Sequence, residues 1–111
     1  MLFLVRGDFL DPESSVSPDH ALAMVEQLVA PSFQMLAQQD NVKGGIFAGE
    51  RAGAFIVEAT SPEELDGMMN HLPFFGVVKW DVKVLVPIAT MAQQFPQYIA
   101  DARAMMQQGS Q

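Results

Sequence analysis

Arg6, Glu58, His71, Trp80 and Phe55 are the residues whose types and settings point to chemistry on a small molecule. Arg6 stands among Leu4, Val5 and Gly7 in an apolar, β-rich stretch. Its fixed charge and planar fork suit it to hold a substrate carboxylate, and an ion pair with Asp8 or Asp81 is the competing structural role. Glu58 closes the apolar run Phe55-Ile56-Val57. A carboxylate there can serve as a general base with a raised pKa, or simply mark the solvated end of a strand. His71 ends an amphipathic segment, where a cation suits the helix dipole, and adjoins Leu72-Pro73-Phe74, a corner able to border a pocket. Trp80 and Phe55 offer aromatic surface to a ligand, with core packing as the ordinary role. Glu58 and His71 are therefore the catalytic candidates, and Arg6, Trp80 and Phe55 the substrate-binding ones.

Other chemistries find no pattern. His20 and His71 lack His-x-His or His-x3-His spacing and the chain has no cysteine, so no metal site is expected. The eight methionines read as flexible core filler. Gly44-Gly45 and Gly49 belong to a hairpin, not a nucleotide loop, and no cofactor is expected. The net charge of −7, with six basic residues that form no run, argues against a nucleic-acid partner. Met1-Leu2-Phe3-Leu4-Val5 is cut short by Arg6 and Asp8 and lacks the basic start and cleavage site of a signal peptide. No apolar run approaches the ~20 residues of a membrane span. A cytoplasmic protein with no membrane partner is the expectation. At 111 residues the chain makes one globular core of modest size.

The elements that must position these residues are legible in the spacing. Leu2–Phe9 reads as a first strand and Asp11-Pro12-Glu13-Ser14-Ser15 as a polar turn. Ser17-Pro18-Asp19 then opens a helix with an N-cap, a proline at the first helical position and an acid in the first turn. Leu22, Val25, Leu28, Val29, Phe33 and Leu36 fall on one face, and Pro31 predicts a kink within it. Val42–Ala48 and Ala54–Ala59 read as strands around a glycine-bearing loop. Ser61-Pro62-Glu63-Glu64 is a capping box, after which Leu65, Met68, Met69 and Leu72 face inward until Pro73. Val77–Val86 is a long strand, with Val78, Trp80, Val82, Val84 and Val86 on one face. Ile88–Gln108 reads as a helix broken near Pro96, with Phe95, Ile99, Ala102 and Met106 as a packing stripe.

This order is a βαββαβ unit, and its two helices cover only one face of a four-stranded sheet. Leu2-Phe3-Leu4-Val5 and Phe55-Ile56-Val57 are apolar on both faces. Two sheets packed face to face would cover the remainder, giving an α+β, ferredoxin-like dimeric barrel. The C-terminal helix as a lid is the alternative. The expected division is residues 1–87 as the barrel domain and 88–111 as a helical appendage, in a homodimer or an assembly of dimers.

Met1-Leu2-Phe3-Leu4-Val5-Arg6, Ala48-Gly49, Phe55-Ile56-Val57-Glu58, the helix start at Ser61–Leu65 and Leu72-Pro73-Phe74-Phe75 come in the same order as in the muconolactone isomerase-like family, which this chain resembles over about residues 1–87. The family's opening histidine is Leu4 here, and the acid of its first helix falls on Leu28. The resemblance implies a cofactor-independent isomerase-like or cyclase-like enzyme. Its ligand would be an unsaturated or aromatic acid, lactone or polyketide-like compound, with proton abstraction and return as the chemistry. A non-catalytic dimeric binding or accessory domain is the alternative.

Overall fold

In the computed structural model, residues 1–10 and 17–109 are described; the expected turn at residues 11–15 lies outside them. Four antiparallel strands, β1 (Leu2–Phe9), β2 (Val42–Ile46), β3 (Ala52–Glu58) and β4 (Val78–Leu85), form one sheet in the order β2-β3-β1-β4. Four helices accompany it: α1 (Pro18–Met24), α2 (Ala30–Ala37), α3 (Pro62–Asn70) and α4 (Ile88–Gly109). The βαββαβ unit with an added C-terminal helix is thus present. β2 ends at Ile46 rather than Ala48, and β3 begins two residues early at Ala52. The turn between them uses Gly49 at φ +79°, a left-handed backbone that glycine adopts without strain.

Strand register sorts every side chain to one of two faces. Phe3 pairs with Val57 and Val84, and Val5 with Phe55 and Val82. Phe3, Val5 and Val57 are fully buried with Leu65 and Met69 of α3. Leu72, Phe74 and Val78 form a second cluster, packed with Leu28 and Leu36. The other face carries Leu2, Leu4, Ile56 and Leu85 together with Arg6, Asp8, Lys43, Lys79, Asp81 and Lys83, and no helix buries it. Along β4 the expected apolar face is only partly used. Val78 is buried and Trp80 half-buried, whereas Val82, Val84 and Val86 are exposed at the sheet edge.

The caps form as the sequence prescribes. Ser17 Oγ accepts from His20 N at 3.2 Å, and Ser61 Oγ accepts from Glu64 N at 3.1 Å. Glu64 reaches back one residue further than a capping box requires, to Thr60 N at 3.0 Å and to the Thr60 hydroxyl. Pro31 sits in the first turn of α2 and does not end the helical run. The turn before it, Val25–Val29, is a π-helix that passes directly into α2. A π turn inserts one residue, so the helix on its N-terminal side is rotated by about 100° relative to the helix on its C-terminal side. That explains why the expected six-residue stripe divides. Leu28 and Leu36 pack in the core, while Leu22 and Val25 stay exposed.

The C-terminal helix corrects the expectation of a break. α4 runs unbroken for 22 residues with Pro96 inside it, at the cost of one intrahelical bond. None of its residues is buried, and it does not lie over the sheet as a lid. The molecule measures 71 × 31 × 25 Å as a result. Among the described residues no helix is long and apolar enough to cross a membrane.

Candidate functional site

A cavity of about 210 Å3 lies between α2 and the helix-covered face of the sheet. Its size is set by glycines. Across the sheet, Ile46 pairs with Gly53, Gly53 with Gly7, and Gly7 with Trp80. A methyl group on Gly7 would meet Val78 Cγ1 at 2.8 Å and Trp80 Cζ3 at 3.1 Å. One on Gly53 would meet Ile46 Cδ1 at 2.7 Å. The bare backbone at these positions lets the Trp80 ring and the Ile46 side chain lie down against the sheet, and the cavity is the room left above them.

The walls are aromatic. Phe74 stands at their centre, edge-on to Phe9 (5.7 Å between centroids), Phe33 (5.5 Å) and Trp80 (5.6 Å). Phe55 meets Trp80 edge-on at 6.5 Å, and Phe75 stacks on it at 6.2 Å. Trp80 Nε1 donates to the Phe75 carbonyl at 3.0 Å, which fixes the indole and leaves it no free donor. Phe74 is held in turn by Ser32, a wholly buried residue whose Oγ accepts the Phe74 N–H at 2.9 Å and donates to the Leu28 carbonyl at 2.7 Å. Exposed Phe33 and Ile46 belong to the lining, so the cavity reaches the surface. None of the fifteen lining residues has an ionisable or hydroxyl-bearing side chain.

The five sequence-predicted site residues are therefore distributed over three places. Trp80 and Phe55 line the cavity. Arg6 pairs with Ala54 and Asp81, one residue out of phase with Trp80, so it projects from the opposite face. There it makes a bidentate pair with Asp8, Nε to Oδ2 at 3.0 Å and Nη2 to Oδ1 at 3.1 Å, and lies over the Phe47 ring at 5.0 Å. Hydrogen bonding to Asp8 raises the Arg6 pKa, and the same bond lowers that of Asp8. Glu58 pairs with Leu2 and shares Arg6's face, four residues and about 13 Å further along β1. Its Oε1 accepts from the Met1 amino group at 3.1 Å. His71 is the exposed C-cap of α3, with Nδ1 2.6 Å from the Gly67 carbonyl. Neither Glu58 nor His71 lines the cavity. Among the described residues no group of three His, Asp or Glu side chains converges as a metal site would require. Ser32 and the glycine pair Gly7–Gly53 escape sequence reading. Their only signal is a glycine in each of two strands that otherwise favour larger residues.

The architecture is a ferredoxin-like βαββαβ unit with a C-terminal helix added. The crystal structure of muconolactone isomerase is similar to it, with a TM-score of 0.63 and 24% identity, over 78% of this chain and 90% of that one. A 5-chloro-2-hydroxyhydroquinone dehydrochlorinase from Burkholderia phenoliruptrix AC1100, solved with 2,5-dihydroxybenzoquinone, gives a TM-score of 0.48 and 20% identity, over 78% of this chain and 94% of that one. No protein-family model matches the chain. No curated protein matches it either. At 24% identity the likeness to muconolactone isomerase shows the fold alone.

Proposed function

We propose that the protein binds a small, flat, uncharged ring compound in the cavity between α2 and the sheet. The observation that carries this reading is the lining: aromatic and aliphatic on every side, with no ionisable group. A carboxylate brought there would lose its water and gain no partner. The volume lies between the ~150 Å3 that accommodates benzene and the ~300 Å3 at which ligand pockets of ordinary size begin. One or two fused rings fill it. Phe55, Phe74 and Trp80 present faces and edges to such a ring.

The lining also bears on the choice between catalysis and binding. An isomerase-like reaction needs a base within hydrogen-bond reach of the substrate. The described lining has none, which favours the binding or accessory reading over the isomerase-like one. The isomerase-like reading keeps the structural likeness to muconolactone isomerase in its support. Under either reading the protein is a cytoplasmic homodimer. The apolar patch of Leu2, Leu4, Ile56 and Leu85 on the open sheet face is the surface proposed to meet its copy.

Trp80 is the single tryptophan of the chain, so its fluorescence reports on the cavity directly. Titration with a neutral bicyclic quinone is expected to quench it saturably, and the corresponding ring carboxylate to bind at least tenfold more weakly. Preference for the carboxylate overturns the reading. Chromatography of the bound compound after incubation separates binding from catalysis: a ligand recovered unchanged supports the accessory role, and a converted one the isomerase-like role.

A further inference from the structure

α4 carries an apolar stripe that its own chain leaves uncovered. At 100° per residue, Ile88, Met91, Phe95, Tyr98, Ala102 and Met105 recur at alternating steps of three and four. Ile99 and Met106 widen the stripe to about 120°. Gln93, Gln97, Ala100, Ala104 and Gln107 lie on the other side, and Pro96 falls off the stripe. From Phe95 onward the large stripe residues are 51–75% exposed, and Ile88 is 88% exposed. A helix of 22 residues, about 33 Å long, is held out in this state.

Three observations choose what covers it. The first is the alternating three-four spacing, which is the seam of helices packed along one another rather than of a helix laid on a sheet. The second is charge. α4 contains Asp101 and Arg103 and no other charged residue, so the whole net charge of −7 lies in the rest of the chain. A nearly neutral polar face is unsuited to anionic lipid or nucleic acid, which call for Lys and Arg. It suits an approach between two copies, because the acidic bodies then stay further apart than the ~8–10 Å over which salt screens them. The third is area. Six large side chains exposing on the order of 100–150 Å2 each supply an area comparable to the roughly 800 Å2 per partner of a stable interface. We propose that α4 pairs with α4 of a second copy of this chain, stripe against stripe, and so acts as an assembly arm. This pairing does not depend on the cavity or its ligand.

The chain has no cysteine, so one introduced thiol reports without interference. Tyr98 lies at the midpoint of Ile88–Gly109 and on the stripe, so it meets its own copy whether the helices run parallel or antiparallel. Gln97 is its neighbour on the polar side. In the full chain, Tyr98→Cys is expected to form an interchain disulfide under mild oxidation at least tenfold faster than Gln97→Cys. Adding Phe95→Glu to Tyr98→Cys should remove that advantage and at least halve the mass in sedimentation, with the circular dichroism of the sheet retained. Equal cross-linking rates at the two positions overturn the pairing. So does a mass unchanged by Phe95→Glu, or binding of the uncross-linked chain to phosphatidylcholine vesicles, which would assign the stripe to lipid.

Discussion

The Ser32 hydroxyl joins two stretches 42 residues apart, accepting the N–H of Phe74 and donating to the carbonyl of Leu28. The ring that the first bond positions stands at the centre of the cavity wall. The carbonyl that takes the second belongs to the π turn before Pro31. One buried side chain thus ties the irregular part of the first helical run to the corner beyond α3.

Ser32→Ala leaves the Phe74 N–H buried without a partner. A loss of about 1–3 kcal/mol is expected, the usual consequence of stranding a buried donor. Urea unfolding should show a lower midpoint at unchanged slope. The variant should also bind the ring compound more weakly, because Phe74 loses its anchor.

Gly7→Val places a Cβ 2.8 Å from Val78 Cγ1 and 3.1 Å from Trp80 Cζ3, with two methyl groups beyond it. The indole must lift into the cavity. The expected result is a shifted Trp80 emission maximum and loss of saturable quenching, in a chain that keeps its sheet. Unaltered emission and binding would show that the ring does not rest on this glycine.

The cap of α3 gives a pH-dependent prediction. Hydrogen bonds from Thr60 hold the Glu64 carboxyl below its ordinary range. A depressed carboxyl stabilises the fold fully above its unfolded pKa of about 4.3, and the contribution disappears as pH falls through the folded value. The stability difference between the native chain and Glu64→Gln should therefore be constant above about pH 5 and shrink as pH falls through the depressed folded-state value. Ser61→Ala, which removes the N-cap acceptor, should cost about 1 kcal/mol at every pH.

Arg6→Met should leave ligand binding in the cavity unchanged, since Arg6 projects from the other face and already holds Asp8. A fluorescence titration that moves tenfold or more would place the ligand on the open face instead.

Much of the fold is legible in the sequence because its signals are local. Ser61 and Glu64 announce α3, and Leu65, Met69 and Leu72 bury as their spacing requires. The β-rich run from Leu2 to Phe9 gives the bounds of β1. The continuity of α4 through Pro96 is not legible, because one missing N–H weakens a helix without deciding whether it ends. The candidate site is less legible than the fold. Trp80 and Phe55 are substrate-binding candidates in the sequence, with core packing as their ordinary role, and both line the cavity. The sequence groups Arg6 with them, although strand parity alone separates it from Phe3 and Val5. Whether a residue on β1 shares a face with one on β4 depends on register, and register is fixed by pairing across long sequence separation. Ser32 is hidden for a similar reason: its partner is 42 residues away.

The two outer strands also determine how the molecule resists uncontrolled growth. β2 is five residues long and contains adjacent glycines, and β4 carries Lys79, Asp81 and Lys83 at every second position. Short, glycine-weakened or lysine-bearing borders are poor templates for another strand, because an incoming chain must bury charge or pair with a backbone that lacks side chains to pack. Copies can then meet through faces and helices without adding strands side by side into fibrils. Replacing Lys79 and Lys83 with valine is expected to remove that protection, seen as a rise in thioflavin fluorescence on standing; a chain that stays free of fibrils would assign the protection to the edge geometry of β4 instead.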